Sequence, residues 1–241
     1  MDDIIFISQR KYTKSIVKKF DIENASHKRT HAPIHLKLTK DEKGVNMDQS
    51  LCMSMIDSLL YLVASRPDIT FVIGVCARYK SEPKMSHITQ VKRILKYING
   101  TSDYGMLYSH NSNPFLIGYY DADWAGNVDD INSTSGGCLF LGNNIISWFF
   151  KKQNNVFLST VEAEYIAAES SCSQLIWMKQ MLEECNVQQD VMTLDLIKDK
   201  FVTLENVTTN KQLADIFTNA LDENQFEKLR GDLGICVLEE L

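Results

Sequence analysis

The chain has 241 residues, 44% of them hydrophobic, which is enough for one large domain or two small ones with cores of their own. Its formal net charge of −6 excludes a protein that is basic all over, so any contact with phosphate must rest on local patches. No long apolar run occurs, and MDDIIFISQRKY lacks a basic start followed by an apolar core, so neither a membrane span nor secretion is expected and the chain reads as intracellular.

In chain order, residues 3 to 20 read as a short strand and then an amphipathic helix with Tyr12, Ile16, Val17 and Phe20 on one face. Arg10, Lys11, Lys14, Lys18 and Lys19 cluster there, with smaller basic groups at Lys92, Arg93 and Lys96 and at Lys151 and Lys152. Taken alone, each patch is equally well explained as a solvated face. Asp21 to Ser50 is polar, contains Pro33 and Gly44, and reads as a long connection. His27, His31 and His35 fall four apart, but Pro33 interrupts them and no cysteine is near, which favours a plain loop over zinc. The six cysteines are scattered without a CxxC pair and read as reduced, mostly buried thiols.

A helix is expected from Ser50 to Ala64, with Ile56, Leu59, Leu60 and Val63 as its apolar stripe. Arg66, Pro67 and Asp68 break it and cap a second helix running from Ile69 to Tyr79. His87 to Ile98 forms a third, stopped by Asn99 and Gly100. From Tyr104 the texture changes to short aromatic and β-branched runs separated by Gly and Asn, an antiparallel meander. A helix from Thr160 to Glu184 follows, with Val161, Tyr165, Ala168, Cys172, Leu175 and Leu182 expected to lie on the sheet. Strand candidates Val191 to Leu194 and Phe201 to Val207 and two short helices, Lys211 to Thr218 and Glu223 to Leu233, close the chain.

The chemistry concentrates in two stretches. GYYDADWAG ends an apolar, aromatic strand with Asp121 and Asp123, and LSTVEAEYIAAES opens the long helix with a Ser/Thr cap, Glu162 and Glu164. A strand-end aspartate facing a glutamate on the next helix can hold a hard, oxygen-liganded cation such as Mg²⁺. Singly, a DAD is more often a surface turn and an EAE at a helix start more often serves the helix dipole. Order and context together carry the functional reading. Three antiparallel strands, a helix and further strand and helix units are an order compatible with the ribonuclease H architecture.

The strings SLLYLVASRPDITF, HITQVKRILKYINGT, GYYDADWAG, STSGGCLFLG, ISWFFKKQ, LSTVEAEYIAAESS, QLIWMKQMLEE and KQLADIFTNAL closely resemble the Pol polyprotein of copia-type LTR retrotransposons, over nearly the whole chain. The resemblance implies an α/β protein. Residues 1–110 would be a mostly helical remnant of the reverse transcriptase thumb and connection, and 111–241 a ribonuclease H-like mixed sheet with flanking helices. It implies a site of four acidic residues holding two Mg²⁺ ions, with Mn²⁺ able to substitute, that cuts the RNA strand of an RNA/DNA hybrid. Carried over by motif, its carboxylates are Asp121, Glu164 and Asp215. Asp123, on the same strand face as Asp121, would support the site. Glu162, roughly 200° around the helix from Glu164, should point elsewhere.

The third carboxylate departs from the family pattern, in which the segment matching VMTL ends in Cys-Asp-Asn and leads into a basic, His-rich stretch. Here Leu194 runs directly into DLIKDKFVTLENV, so the domain reads as internally truncated near 194–195. Asp195 follows the strand, but its neighbours match a later helix, which makes it a poor substitute. Weak Mg²⁺ binding and an impaired or inactive nuclease are expected, with part of the sheet uncovered. Met53, Asp57, Asn132 and Asn219 also depart from the family's usual residues, in the direction of drift. Asp2 and Asp3 imitate a polymerase motif, but their continuation matches a segment downstream of the palm, so no polymerase site is expected. Implied partners are RNA/DNA hybrid or other nucleic acid, with an intact Pol in trans, in a cytoplasmic particle or the nucleus. The alternatives are a non-catalytic nucleic-acid-binding remnant and a relic open reading frame.

Overall fold

The computed structural model describes residues 4–110, 115–154, 156–187, 192–194, 202–203 and 211–238. The chain divides into two compact units, one formed by residues 6–106, 127–130 and 220–241, the other by 1–5, 107–126 and 131–219. In the middle of the chain the units change between residues 106 and 107. The last 22 residues, however, fold back into the helical unit, because Phe226, Leu229, Leu233 and Ile235 bury their side chains there.

The helical unit contains α1 (Arg10–Lys19), α2 (Gln49–Leu62), a 3₁₀ turn (Pro67–Ile69), α3 (Thr70–Ala77), α4 (Met85–Gly100) and α6 (Glu223–Asp232). It also takes part in a small sheet of β1 (Ile4–Ile7), β2 (Tyr104–Ser109) and β8 (Ile235–Val237), in the order β1-β2-β8. β2 and β8 run antiparallel with Gly105 opposite Cys236. Asp48 caps α2 by accepting from the Leu51 amide, and Asp222 caps α6 by accepting from Asn224 and Gln225. The buried stripe of α2 is Cys52, Met55, Ile56, Leu59 and Leu62, which includes the expected Ile56 and Leu59 but not Leu60 or the half-buried Val63. Leu60 is exposed, because packing on both α1 and α3 turns the helix toward positions 52, 55 and 62.

The break after α2 also differs from the expectation. Asp68 does not cap the following helix; it is wholly buried and forms a two-pronged pair with Arg66, Nε to Oδ1 at 2.9 Å and Nη2 to Oδ2 at 2.8 Å. Arg66 also donates to the Thr101 carbonyl, and the Tyr97 hydroxyl donates to Asp68 at 2.5 Å. Arg230 of α6 completes the cluster by donating to the Tyr97 oxygen at 3.3 Å. Burial opposes ionisation of Asp68, but the adjoining guanidinium and the hydrogen bonds hold its carboxyl below the usual range. His31, of the expected loop, is 2% exposed against the Phe226 ring at 4.5 Å; burial pushes its pKa down to about 4.

The α/β unit is built on a five-stranded sheet in the order β5-β4-β3-β6-β7. β3 (Leu116–Asp123), β4 (Thr134–Leu141) and β5 (Asn144–Lys152) form the expected antiparallel meander. β6 (Met192–Leu194) and β7 (Val202–Thr203) join in parallel on the other side of β3, so the sheet is mixed. β3 alternates strictly, with Leu116, Gly118, Tyr120 and Ala122 buried and Ile117, Tyr119, Asp121 and Asp123 half-buried. α5 (Thr160–Glu184) lies on the face of Leu116, Tyr120 and Ala122. A 3₁₀ segment (Leu213–Phe217) stands where a short α-helix is expected from Lys211 to Thr218.

α5 meets the sheet through Ala163, Ala167, Ala168, Ser171 and Leu175. Of the expected stripe, Ala168 and Leu175 are buried and Cys172 and Leu182 pack against the same core, but Val161 is 62% and Tyr165 54% exposed. The physical reason is closeness: three alanines and a serine allow the helix to approach a twisted sheet that the larger Val and Tyr would hold away. Gln153 fixes the helix start, donating to Ser135 Oγ of β4 at 2.8 Å and to the Ala163 carbonyl of α5 at 2.9 Å. Ser159 caps the helix by accepting from the Glu162 amide, and Glu162 reaches back to the Leu158 amide at 2.9 Å. Among the described residues no helix is long and apolar enough to cross a membrane.

Candidate carboxylate site

Asp121 lies near the end of β3 on the face away from α5, directly opposite Gly136 of β4. The missing side chain at Gly136 is what admits the 3₁₀ segment. A Cβ there would stand 2.7 Å from both Phe217 Cβ and Thr218 Cγ2. The chain leaving the segment therefore presses onto the sheet beside Asp121, whose Oδ2 accepts from the Thr218 hydroxyl and from Asn219 Nδ2 at 3.3 Å. Gln212 tethers the front of the segment by donating to the Tyr120 carbonyl at 3.1 Å.

The same return brings Asp215 next to Asp121. Asp215 is 9% exposed, and its pKa is pushed up to about 7, first by burial and then by the neighbouring charge of Asp121. Burial also raises the Asp121 carboxyl, against the opposing hydrogen bonds from Thr218, the Ala122 amide and Asn219. Two carboxylates sharing a partly dry site resist simultaneous ionisation and titrate as a pair. A cation beside such a pair would relieve the repulsion.

Glu164 is half-buried on the sheet-facing flank of α5, and it lines a groove of about 230 Å³ with Thr160, Val161, Tyr165 and Ala168. Asp123 folds over the turn after β3, its carboxyl occupying the space that a side chain at Gly126 would need. The turn is further held by Ala125, in the left-handed region with φ 53°, whose amide donates to Ser133 Oγ. Among the described residues no group of three His, Cys, Asp or Glu side chains is arranged to hold a metal ion. Asp195, Asp2 and Asp3 lie outside the described residues.

Thr218, Asn219 and Gln212 shape the site and are not among the residues that the sequence nominates. Their signal lies in the return after Asp215, where hydroxyl and amide side chains three and four positions on face the same strand.

An α/β chain with a strand-end aspartate paired to one on a returning segment is the class of protein these features define. By sequence, the chain is similar over most of its length to retrovirus-related Pol polyproteins of plant transposons. It is 31% identical over 270 positions to the Pol polyprotein of transposon TNT 1-94 of Nicotiana tabacum, a match taking in 96% of this chain and 20% of that protein. It is 34% identical over 184 positions to that of transposon RE2 of Arabidopsis thaliana, covering 76% of this chain and 13% of that protein. An uncharacterized mitochondrial protein of Arabidopsis thaliana, AtMg00810, is 34% identical over 72% of each chain. The chain therefore spans a fifth or less of the Pol polyproteins just described. No family model and no solved structure matches it.

Proposed function

We propose that the chain is a retrotransposon Pol fragment whose α/β unit descends from a Mg²⁺-dependent nuclease acting on the RNA strand of RNA/DNA hybrids, and that its activity is impaired. The observation that carries this reading is the buried pairing of Asp121 with Asp215 across β3 and the returning 3₁₀ segment. The strand order supports it: three antiparallel strands, a helix on one face and parallel strands added beside the first are what a ribonuclease H-like sheet requires. Glu164, carried on α5, would be the ancestral second carboxylate of that site.

Impairment follows from the ligand count and from length. The match to the tobacco transposon needs 270 positions to cover 96% of a 241-residue chain, so that relative carries residues within the matched stretch that this chain lacks. The match to RE2, by contrast, covers 76% of the chain in 184 positions with almost no such excess. Loss of a block at Leu194 and Asp195, where the sequence departs from the family pattern, would account for the excess. When bound, Mg²⁺ or Mn²⁺ would supply charge for activating water and stabilising a leaving oxygen. The chain's own contribution is to hold Asp121 through Thr218 and Asn219 and to keep Asp215 beside it.

The test is cleavage of an end-labelled RNA/DNA hybrid in Mg²⁺ and in Mn²⁺, beside an intact relative. Rates near background are expected. A rate comparable with the relative's, abolished by Asp121→Asn, would overturn the impairment.

A further inference from the structure

His31 lies in the connection between α1 and α2, and its backbone is pinned along α4. Gln90 Nε2 donates to the His31 carbonyl at 2.8 Å, and Arg93 Nη2 donates to Thr30 Oγ1 at 2.9 Å and to the Ala32 carbonyl at 3.3 Å. The imidazole so placed faces three rings, with centroids 4.5 Å away for Phe226 of α6, 6.1 Å for Tyr97 of α4 and 6.5 Å for Phe71 of α3. The side chain is 2% exposed, and among the described residues neither ring nitrogen has a hydrogen-bond partner. Buried polar side chains nearly always find one, so a ring dry at both nitrogens is a group that the fold keeps neutral.

The charges around the ring act in the same direction. Asp68 of the 3₁₀ turn favours an imidazolium, whereas Arg66 beside that turn and Arg93 of α4 oppose it, and burial opposes it most of all. Asp68 is already engaged by the Arg66 guanidinium, by the Tyr97 hydroxyl and by the charge of Arg230 on α6. It has little left for a further cation. From α3 comes only the uncharged Phe71. α6 covers the ring with Phe226, packs Leu229 into the same core, and pairs its Glu223 and Glu227 with Arg29. A proton on His31 would make a fourth cation against one carboxylate in a dry place. Because the nearest ring belongs to α6, hydrating that charge means moving α6.

We propose that His31 is an acid-sensitive latch of the helical unit: the neutral imidazole lets α6 close over it, and the imidazolium, formed by taking a proton from water, holds α6 open. The closed ring resists protonation down to about pH 4, whereas a solvated one takes its proton near the ordinary 6.5. The latch is therefore fully engaged above about pH 6.5 and weakens as pH falls, with the open form gaining about ten-fold per pH unit until about pH 4.

The test is amide hydrogen exchange of α6 on the full chain between pH 7 and 4.5, corrected for the intrinsic pH dependence of exchange, with α5 of the other unit as internal reference. The opening constant of α6 should rise roughly 50-fold over that range, which is the two pKa values carried through linkage. His31→Phe and His31→Leu, which carry no titrating proton, should each flatten the rise. His35→Gln, at an exposed histidine, should retain it. Glu223→Gln/Glu227→Gln, which removes the pairs with Arg29, should also retain it, because glutamates titrate lower. A proton NMR titration of the wild type supplies a readout that no variant's folding can spoil: the closed-state His31 ring should keep its neutral shift down to about pH 4.5. A closed-state ring titrating near 6.5 overturns the proposal. So does an α6 protection that is flat with pH, or a rise that survives His31→Phe and His31→Leu but vanishes in the glutamate variant.

Discussion

Asp215→Asn should make the protein more stable at alkaline pH and leave it unchanged in acid. In the folded chain Asp215 holds its proton up to about pH 7, because burial and the Asp121 charge disfavour the anion; the ordinary value is 3.8. Below about pH 4 both folded and unfolded chains are protonated at this residue, and nothing is lost. Between the two values the unfolded chain releases the proton while the folded chain keeps it, so this residue's contribution to stability falls as pH rises. Above about pH 7 the loss is complete. At 1.36 kcal/mol per pH unit, a gap of about three units amounts to roughly 4 kcal/mol as an upper value. Asparagine preserves the shape and carries no titrating proton, so the difference between wild type and variant isolates the one group. The assay is urea unfolding of both proteins from about pH 4 to 9, with the difference in midpoint stability plotted against pH. Because burial is the larger cause, Asp121→Asn should leave most of the slope in place. A pH-independent difference, or a wild type that gains on the variant as pH rises, would refute the reasoning.

Two further substitutions test the scaffold. Gly136→Ala should destabilise the α/β unit by about 1–3 kcal/mol, because the new methyl meets Phe217 and Thr218 at 2.7 Å and the Phe217 carbonyl at 2.9 Å; an unchanged thermal midpoint would mean that the segment does not rest there. Asp68→Asn should cost the helical unit about 3–5 kcal/mol, since it leaves the buried Arg66 guanidinium without its carboxylate; a loss under about 1 kcal/mol in denaturant titration would show that the pair is not isolated from water.

Much of this protein was legible in its residues. Alternation in LIGYYDAD, the turn signals between runs and the Ser159 cap with Glu162 are local, and they specify strands, meander and helix start through steric and hydrogen-bonding rules that act within a few residues. Strand alternation also separates Asp121 from the face that takes the helix. Periodicity, however, marks which residues are apolar and not how closely two surfaces approach. That is why α5 turns its alanines, and not Val161 and Tyr165, to the sheet.

The remaining features depend on groups far apart in the chain. Asp68 looks like a helix cap until Arg66, Tyr97 and Arg230 surround it. Thr218 and Asn219 look like loop residues until Gly136 lets them settle on β3, 97 and 98 positions from Asp121. Sequence alone determined the elements and nominated the aspartates, because both are local or motif-borne. Only the tertiary structure decided that the returning segment sets Asp215 beside Asp121. Burial, which raises both carboxyls, and the Asp121 charge, which raises Asp215 further, exist only once the chain has closed on itself.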